Sequence, residues 1–218
     1  MKFYRFNTIA TKGRDALRFC QGPTLFASRF LYALFALVAI GLSALPISAQ
    51  ANELAQQLKS PDYVLLMRHA YAPGVGDPPG YSLKRCETQR VLNEEGKAQA
   101  VRAGQWLRAN GVEKARVYSS IWCRCQQTAQ SLQLGPVIIE PSLASFFDRP
   151  TQASAQNQAL QQFIAKLLKT KGDHALILVT HHVNIREFMG RDIGSGDMVL
   201  ARVSDKGQVL DYKLYPSP

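Results

Sequence analysis

A chain of 218 residues has room for one ordinary domain plus an extension, and 46% hydrophobic residues supply a substantial core, which argues against disorder beyond the ends. Its formal charge of +10 is concentrated at the front: residues 1–51 hold six basic and one acidic side chain, so the remainder carries +5. No Lys/Arg block with interleaved aromatics occurs there, which argues against a nucleic-acid partner and suits an anionic small substrate or an anionic membrane face.

The front reads as a leader. Lys2, Arg5, Lys12, Arg14, Arg18 and Arg29 precede an apolar run from Phe30 to Leu45 that ends at Pro46, and Ala49-Gln50-Ala51 supplies a small-x-small cleavage site. This divides the chain into a signal peptide over 1–51 and a domain over 52–218. An uncleaved inner-membrane anchor is the alternative, because the apolar run falls just short of the roughly 17 residues that begin to span a bilayer. Either way the domain is expected in the periplasm or outside the cell, with membrane contact only through an uncleaved leader.

Glu53 to Leu58 suggests a short leading helix, and Tyr63 to Met67 a first strand. Residues 70–90, rich in Gly and Pro, read as a long loop over the strand end, where loops commonly contribute to a site. Asn93 is a natural N-cap, Glu94 and Glu95 put negative charge on the first turn, and Gly111 stops the helix near Asn110. Ala98, Val101 and Leu107 line one side of it at helical spacing, which is core patterning and implies no cofactor. Arg116 to Tyr118 is a second strand, Cys123 to Leu132 a helix, and Val137 to Ile139 a short strand. The stretch 141–155 reads as a lid-like loop before a helix of about 156–170. His174 to Thr180 is the next strand, followed by a helix after His182. Met198–Val203 and Val209–Tyr215 alternate around Asp205-Lys206-Gly207 as a hairpin. The alternation predicts an α/β three-layer sandwich: a mostly parallel central sheet, helices on both faces, and a C-terminal edge hairpin.

Cys20 falls in the leader, leaving Cys86, Cys123 and Cys125. In an oxidising compartment one disulfide and one leftover thiol are expected, with Cys86 paired to Cys123 or to Cys125. Such a bridge would brace the turn carrying Arg124. A redox pair of Cys123 and Cys125 is the sharper but less economical reading.

Three separated segments carry the chemistry: Leu65-Leu66-Met67-Arg68-His69-Ala70, Val117-Tyr118-Ser119-Ser120 followed by Arg124, and Leu178-Val179-Thr180-His181-His182. Each follows an apolar run that reads as a buried strand, and ligands of open α/β sheets bind beyond the carboxyl ends of strands. Two Arg and two His would therefore converge. Guanidinium forks match phosphoryl oxygens, and an imidazole that is largely neutral near pH 7 is a suitable nucleophile. On chemistry alone His69 and His181 could exchange roles. His181 and His182 are adjacent and lack paired ligand spacing, so no metal is expected. His174, ahead of its strand, reads as surface.

In this order and with these neighbours, including Arg124-x-x-x-Thr128-Ala129, the segments resemble the histidine phosphatase superfamily in its phosphoglycerate mutase-like branch. The resemblance implies His69 as nucleophile, forming a phosphohistidine that water hydrolyses, with Arg68, Arg124 and His181 as the phosphate clamp and no cofactor. His182 stands where many relatives carry glycine, so it is either a substrate-contacting residue or a structural one. Many relatives place a glutamate shortly after the positions matching Pro141 to Leu143, whereas this chain offers Asp148, with Glu87 as a rival proton donor. The chain is too short for the large cap of the acid phosphatase and phytase branch, so an open pocket is expected. Its layout is similar to that of the periplasmic lipopolysaccharide core heptose phosphatases, which implies a small phosphorylated substrate, a sugar phosphate on an envelope glycolipid. A binding module that keeps the clamp but lacks an effective acid is the alternative from a different class.

Overall fold

The computed structural model describes residues 47–218. The basic and apolar parts of the leader lie outside the described residues. Among the described residues no helix is long and apolar enough to cross a membrane.

The elements follow in chain order as α1 (Ile47–Lys59), β1 (Tyr63–Arg68), α2 (Glu94–Ala109), β2 (Ala115–Ser119), α3 (Cys123–Ser131), β3 (Val137–Ile139), α4 (Ala153–Leu168), β4 (Ala175–Thr180), α5 (His182–Met189), β5 (Met198–Val203) and β6 (Val209–Tyr215). The leading helix is longer than Glu53 to Leu58 and runs across the 51/52 boundary. Six strands form one sheet in the order β3-β2-β4-β1-β5-β6. β3, β2, β4 and β1 are mutually parallel, and β5 and β6 are joined antiparallel as the edge hairpin.

β4 is central and buried at every residue, which is why Ala175-Leu-Ile-Leu-Val-Thr180 is an apolar run without alternation. Successive residues nonetheless serve opposite faces. Ile177 and Val179 join Leu65, Met67 and Val117 against Leu54 and Leu58 of α1, Leu107 of α2 and Ala129 of α3. Leu176 and Leu178 join Val64, Leu66 and Val199 against Leu160 and Ile164 of α4 and Ile185 and Phe188 of α5. Two cores on one sheet make the three-layer sandwich.

Helix ends follow local chemistry. Asn93 Oδ1 accepts from Gly96 N at 2.9 Å, capping α2, and Gly111 supplies the positive φ of 82° that ends it. Gly96 has a second duty, because a Cβ there would run into the Tyr71 carbonyl, so α2 begins directly against the loop after β1. At the other end of the sheet the fully buried Lys171 donates to the carbonyls of Leu58, Ser60 and Tyr63 at 2.8, 2.6 and 2.8 Å. It closes the C-terminal end of α1, whose last carbonyls lack helical partners.

Candidate active site

β1, β4 and β2 are parallel neighbours, so their carboxyl ends share one edge. Register places Arg68 beside Thr180 and Ser119 beside Val179, and the residues beyond each strand are still tied to the sheet. His69 N donates to Thr180 O and Ser120 N to Val179 O, each at 3.0 Å. Thr128 stitches α3 to the same edge: its hydroxyl donates to Arg124 O at 2.7 Å and accepts from Ala70 N at 2.9 Å. Arg68, His69, Arg124 and His181, separated by over a hundred residues in sequence, thereby line one cavity of about 350 Å³.

His69 is buried, and its Nδ1 lies 2.8 Å from Ala70 O. A carbonyl only accepts, so Nδ1 carries the proton and Nε2 keeps its lone pair. Burial, reinforced by Arg124, holds the His69 pKa well below the ordinary 6.5, so the ring is neutral near pH 7. His181 meets His69 edge to face, with ring centroids 5.4 Å apart. Its Nε2 is 2.9 Å from Ser120 Oγ, and burial, then Arg124 and His69, hold it well below 6.5 as well. The two rings are thus neutral for the same reason but differ in their partners: a backbone carbonyl for one, a hydroxyl for the other.

The fixed positive charge comes from arginines. Arg68 Nη1 donates to Ile193 O at 2.7 Å, while its buried Nε has no partner in the protein. Arg124 Nη1 grips Asp77 at 3.0 and 3.1 Å, and its Nε is likewise buried and unpartnered. Such orphaned guanidinium donors suit an anionic ligand. Arg90 lines the cavity as a third guanidinium, with Nε on Gly76 O at 2.8 Å and Nη1 on Ala72 O.

The structure puts the other candidates in different places. His182 lines the cavity, packs its ring 5.8 Å from that of Phe147, and has its pKa lowered by burial and by Arg68. Asp148 lines the exposed mouth and accepts from Tyr81 OH at 3.1 Å. Glu87 sits on an exposed turn over Cys86–Thr88 and does not line the cavity. His174 is exposed at the opposite end of β4. Cys86 and Cys123 form the disulfide, and Cys125 is free and buried, with its thiol pushed up to about 12 by burial. A Cys123–Cys125 redox pair is not formed. Among the described residues no three His, Cys, Asp or Glu side chains converge as a metal site.

Sequence reasoning missed Asp77 and Arg90. Both lie in the 70–90 loop, which it did assign to the site region. That loop also carries Lys84, Arg85 and Glu87, and only its folded path separates the charges that face inward from those that face water.

Residues 64–147 match the profile of the histidine phosphatase superfamily, branch 1. No curated protein sequence matches the chain. The fold is similar to that of a mycobacterial glucosyl-3-phosphoglycerate phosphatase in complex with VO3, at 15% identity and TM-score 0.51, over 72% of this chain and 100% of that one. It is similar too to a mutant phosphoserine phosphatase from Entamoeba histolytica in complex with phosphoserine, at 13% identity and TM-score 0.50, over 69% of this chain and 95% of that one.

Proposed function

We propose that this chain, whose residues 64–147 match the profile of the histidine phosphatase superfamily, is a member of it and a phosphomonoesterase working through a phosphohistidine on His69. One observation carries the reading: His69 is held neutral, with Nδ1 tied to Ala70 O and Nε2 free, in a cavity lined by Arg68, Arg90 and Arg124. The guanidiniums bind the equatorial oxygens, over which charge spreads in phosphoryl transfer. His69 Nε2 attacks phosphorus, the ester oxygen leaves, and water then displaces phosphate from the imidazole. His181 stabilises the developing charge, and Asp148 at the mouth protonates the leaving oxygen. His182 contacts the part of the substrate beyond the phosphate.

In this reading the protein is exported and acts on a sugar phosphate of a cell-envelope glycolipid. The leader pattern and the Cys86–Cys123 bridge support an oxidising compartment. The exposed rings of Tyr71 and Phe147 at the cavity, beside Asp148, support a ring-bearing, hydroxylated substrate. A second reading, a phosphate-recognising module without turnover, is favoured by a single feature: Asp148 stands at the exposed mouth of the cavity with its carboxylate already engaged by Tyr81 OH.

Phosphate release from 4-nitrophenyl phosphate by the purified chain, with EDTA present and His69→Ala as control, tests both. Turnover that survives the chelator and is lost in the variant supports the phosphomonoesterase. Absence of turnover by folded protein, even with this good leaving group, favours the binding module.

A further inference from the structure

The phosphate clamp contains an anion of its own. Asp77 is only 2% exposed at its side chain, and Arg124 only 4%. Besides gripping Arg124, the carboxylate accepts from Trp122 Nε1 at 3.1 Å and from Arg90 N at 2.9 Å. Burying such a pair seldom adds stability, because desolvating both charges offsets their attraction. A carboxylate in the wall of an anion site also repels the ligand. Both costs fall at the one place where affinity matters, which points to a role in setting that affinity.

The charge balance defines the role. Arg68, Arg90 and Arg124 face the cavity, and the histidines around them are neutral near pH 7. Three guanidiniums without a counter-ion would repel one another and overmatch a phosphate, which carries between one and a half and two negative charges. With Asp77 in place, two net positive charges remain beside the reacting group. Asp148 also lines the cavity, but it stands at the exposed mouth, where water screens it.

We propose that Asp77 is the resident counter-anion of this clamp, a positioning residue that orients Arg124 while limiting the affinity for phosphate, so that the hydrolysed product leaves. The placement is rigid. The loop bearing Asp77 is bolted to the start of α3 by the Cys86–Cys123 bridge and by Gln89 Oε1, which accepts from Cys123 N at 3.0 Å. Carboxylate and guanidinium are therefore fixed to each other from two directions. A substrate phosphate meets Arg124 with Nη1 already held by Asp77, Nη2 3.5 Å from His181 Nδ1, and Nε without a partner in the protein.

This inference rests on the phosphate-site reading, and titration with inorganic phosphate separates the two. Asp77→Asn keeps the shape and removes the charge. It should bind phosphate roughly ten- to a hundredfold more tightly than the parent, as expected for removing a nearby like charge at intermediate dielectric, and product inhibition of aryl phosphate hydrolysis should strengthen in parallel. A merely structural Asp77 would move affinity the other way, because a loosened Arg124 binds phosphate less well. Adding Arg90→Gln to Asp77→Asn restores the net charge and should bring the affinity back toward the parent's. Asp173→Asn, at the far end of β4, removes the same charge from the protein surface and should change nothing. Asp77→Ser, assayed alongside, removes the charge with a smaller side chain and decides the matter if the Asn variant does not fold. Equal or weaker phosphate binding in the charge-removed variants, or equal tightening by Asp173→Asn, overturns the inference alone. A parent that binds no phosphate overturns the reading beneath it as well.

Discussion

His69 owes its neutral form to one adjacent and one distant neighbour: the carbonyl one residue on fixes its tautomer, and Arg124 of α3 adds to burial in keeping it uncharged. In the proposed mechanism attack requires the neutral ring, and its pKa is depressed, so the acid limb that His69 contributes to kcat/KM must lie below pH 6.5, with no further loss above it. A pH profile on an aryl phosphate checks this, and an enzymic limb centred at or above 6.5 would sink it; the substrate's own ionisation near pH 6 is measured separately. Ser120 is the matching partner of His181. Ser120→Ala should lower kcat about tenfold or more while the fold stays intact, because the imidazole loses the contact that holds its orientation. The strand-end Arg-His pair was legible because an apolar run ending in those residues already states the strand and puts both side chains at its carboxyl end, where the cavity lies. Asp77 was not, because an acidic residue among Gly and Pro has no local sign of where its loop will carry it.

The loop between β1 and α2 shows how an element without regular structure is held. Cys86 and Cys123 are 37 positions apart, and closing a loop of that size should stabilise the fold by about 4 kcal/mol at most on the chain-entropy account. Cys86→Ser with Cys123→Ser should lower the thermal midpoint clearly and weaken phosphate inhibition, since the Arg124 turn loses its brace. An unchanged midpoint would show the bridge to be incidental. The sequence left Cys123 and Cys125 as equal candidates, and helix geometry separates them. Two positions along α3 turn a side chain to the far side, so Cys123 meets the loop while Cys125 packs into the core beside His181. Gly96 tests the same junction. Gly96→Ala gains about 1 kcal/mol of helix propensity yet should still cost stability in urea titration, because the new Cβ displaces the Tyr71 carbonyl.

At the scale of the molecule, the buried ionisable groups sit at opposite ends of the sheet and act differently. Burial lowers the Lys171 pKa to about 8, and three carbonyls surround the ammonium, so it remains charged at neutral pH and fastens α1 to the sheet. Lys171→Met should cost about 3 kcal/mol in unfolding experiments, because it leaves buried acceptors without a donor. A near-neutral effect would mean that water reaches those carbonyls. His69 and His181 have folded pKa values depressed below the unfolded 6.5, so the folded chain binds fewer protons than the unfolded one. Stability is therefore full above about pH 6.5 and declines as the pH falls toward the folded values, which thermal melts across pH 4 to 8 will read directly.

The sequence by itself determined the order of strands and helices, the three segments whose ends meet at one cavity, and the edge hairpin, because periodicity, caps and strand-end residues are local properties. Only the tertiary structure decided the sheet order, the choice of Cys123 over Cys125, the cage around Lys171, and the entry of Asp77 and Arg90 into the site in place of Glu87. Those outcomes depend on the path of a loop and the facing of a helix, which are set by packing between residues far apart in the chain.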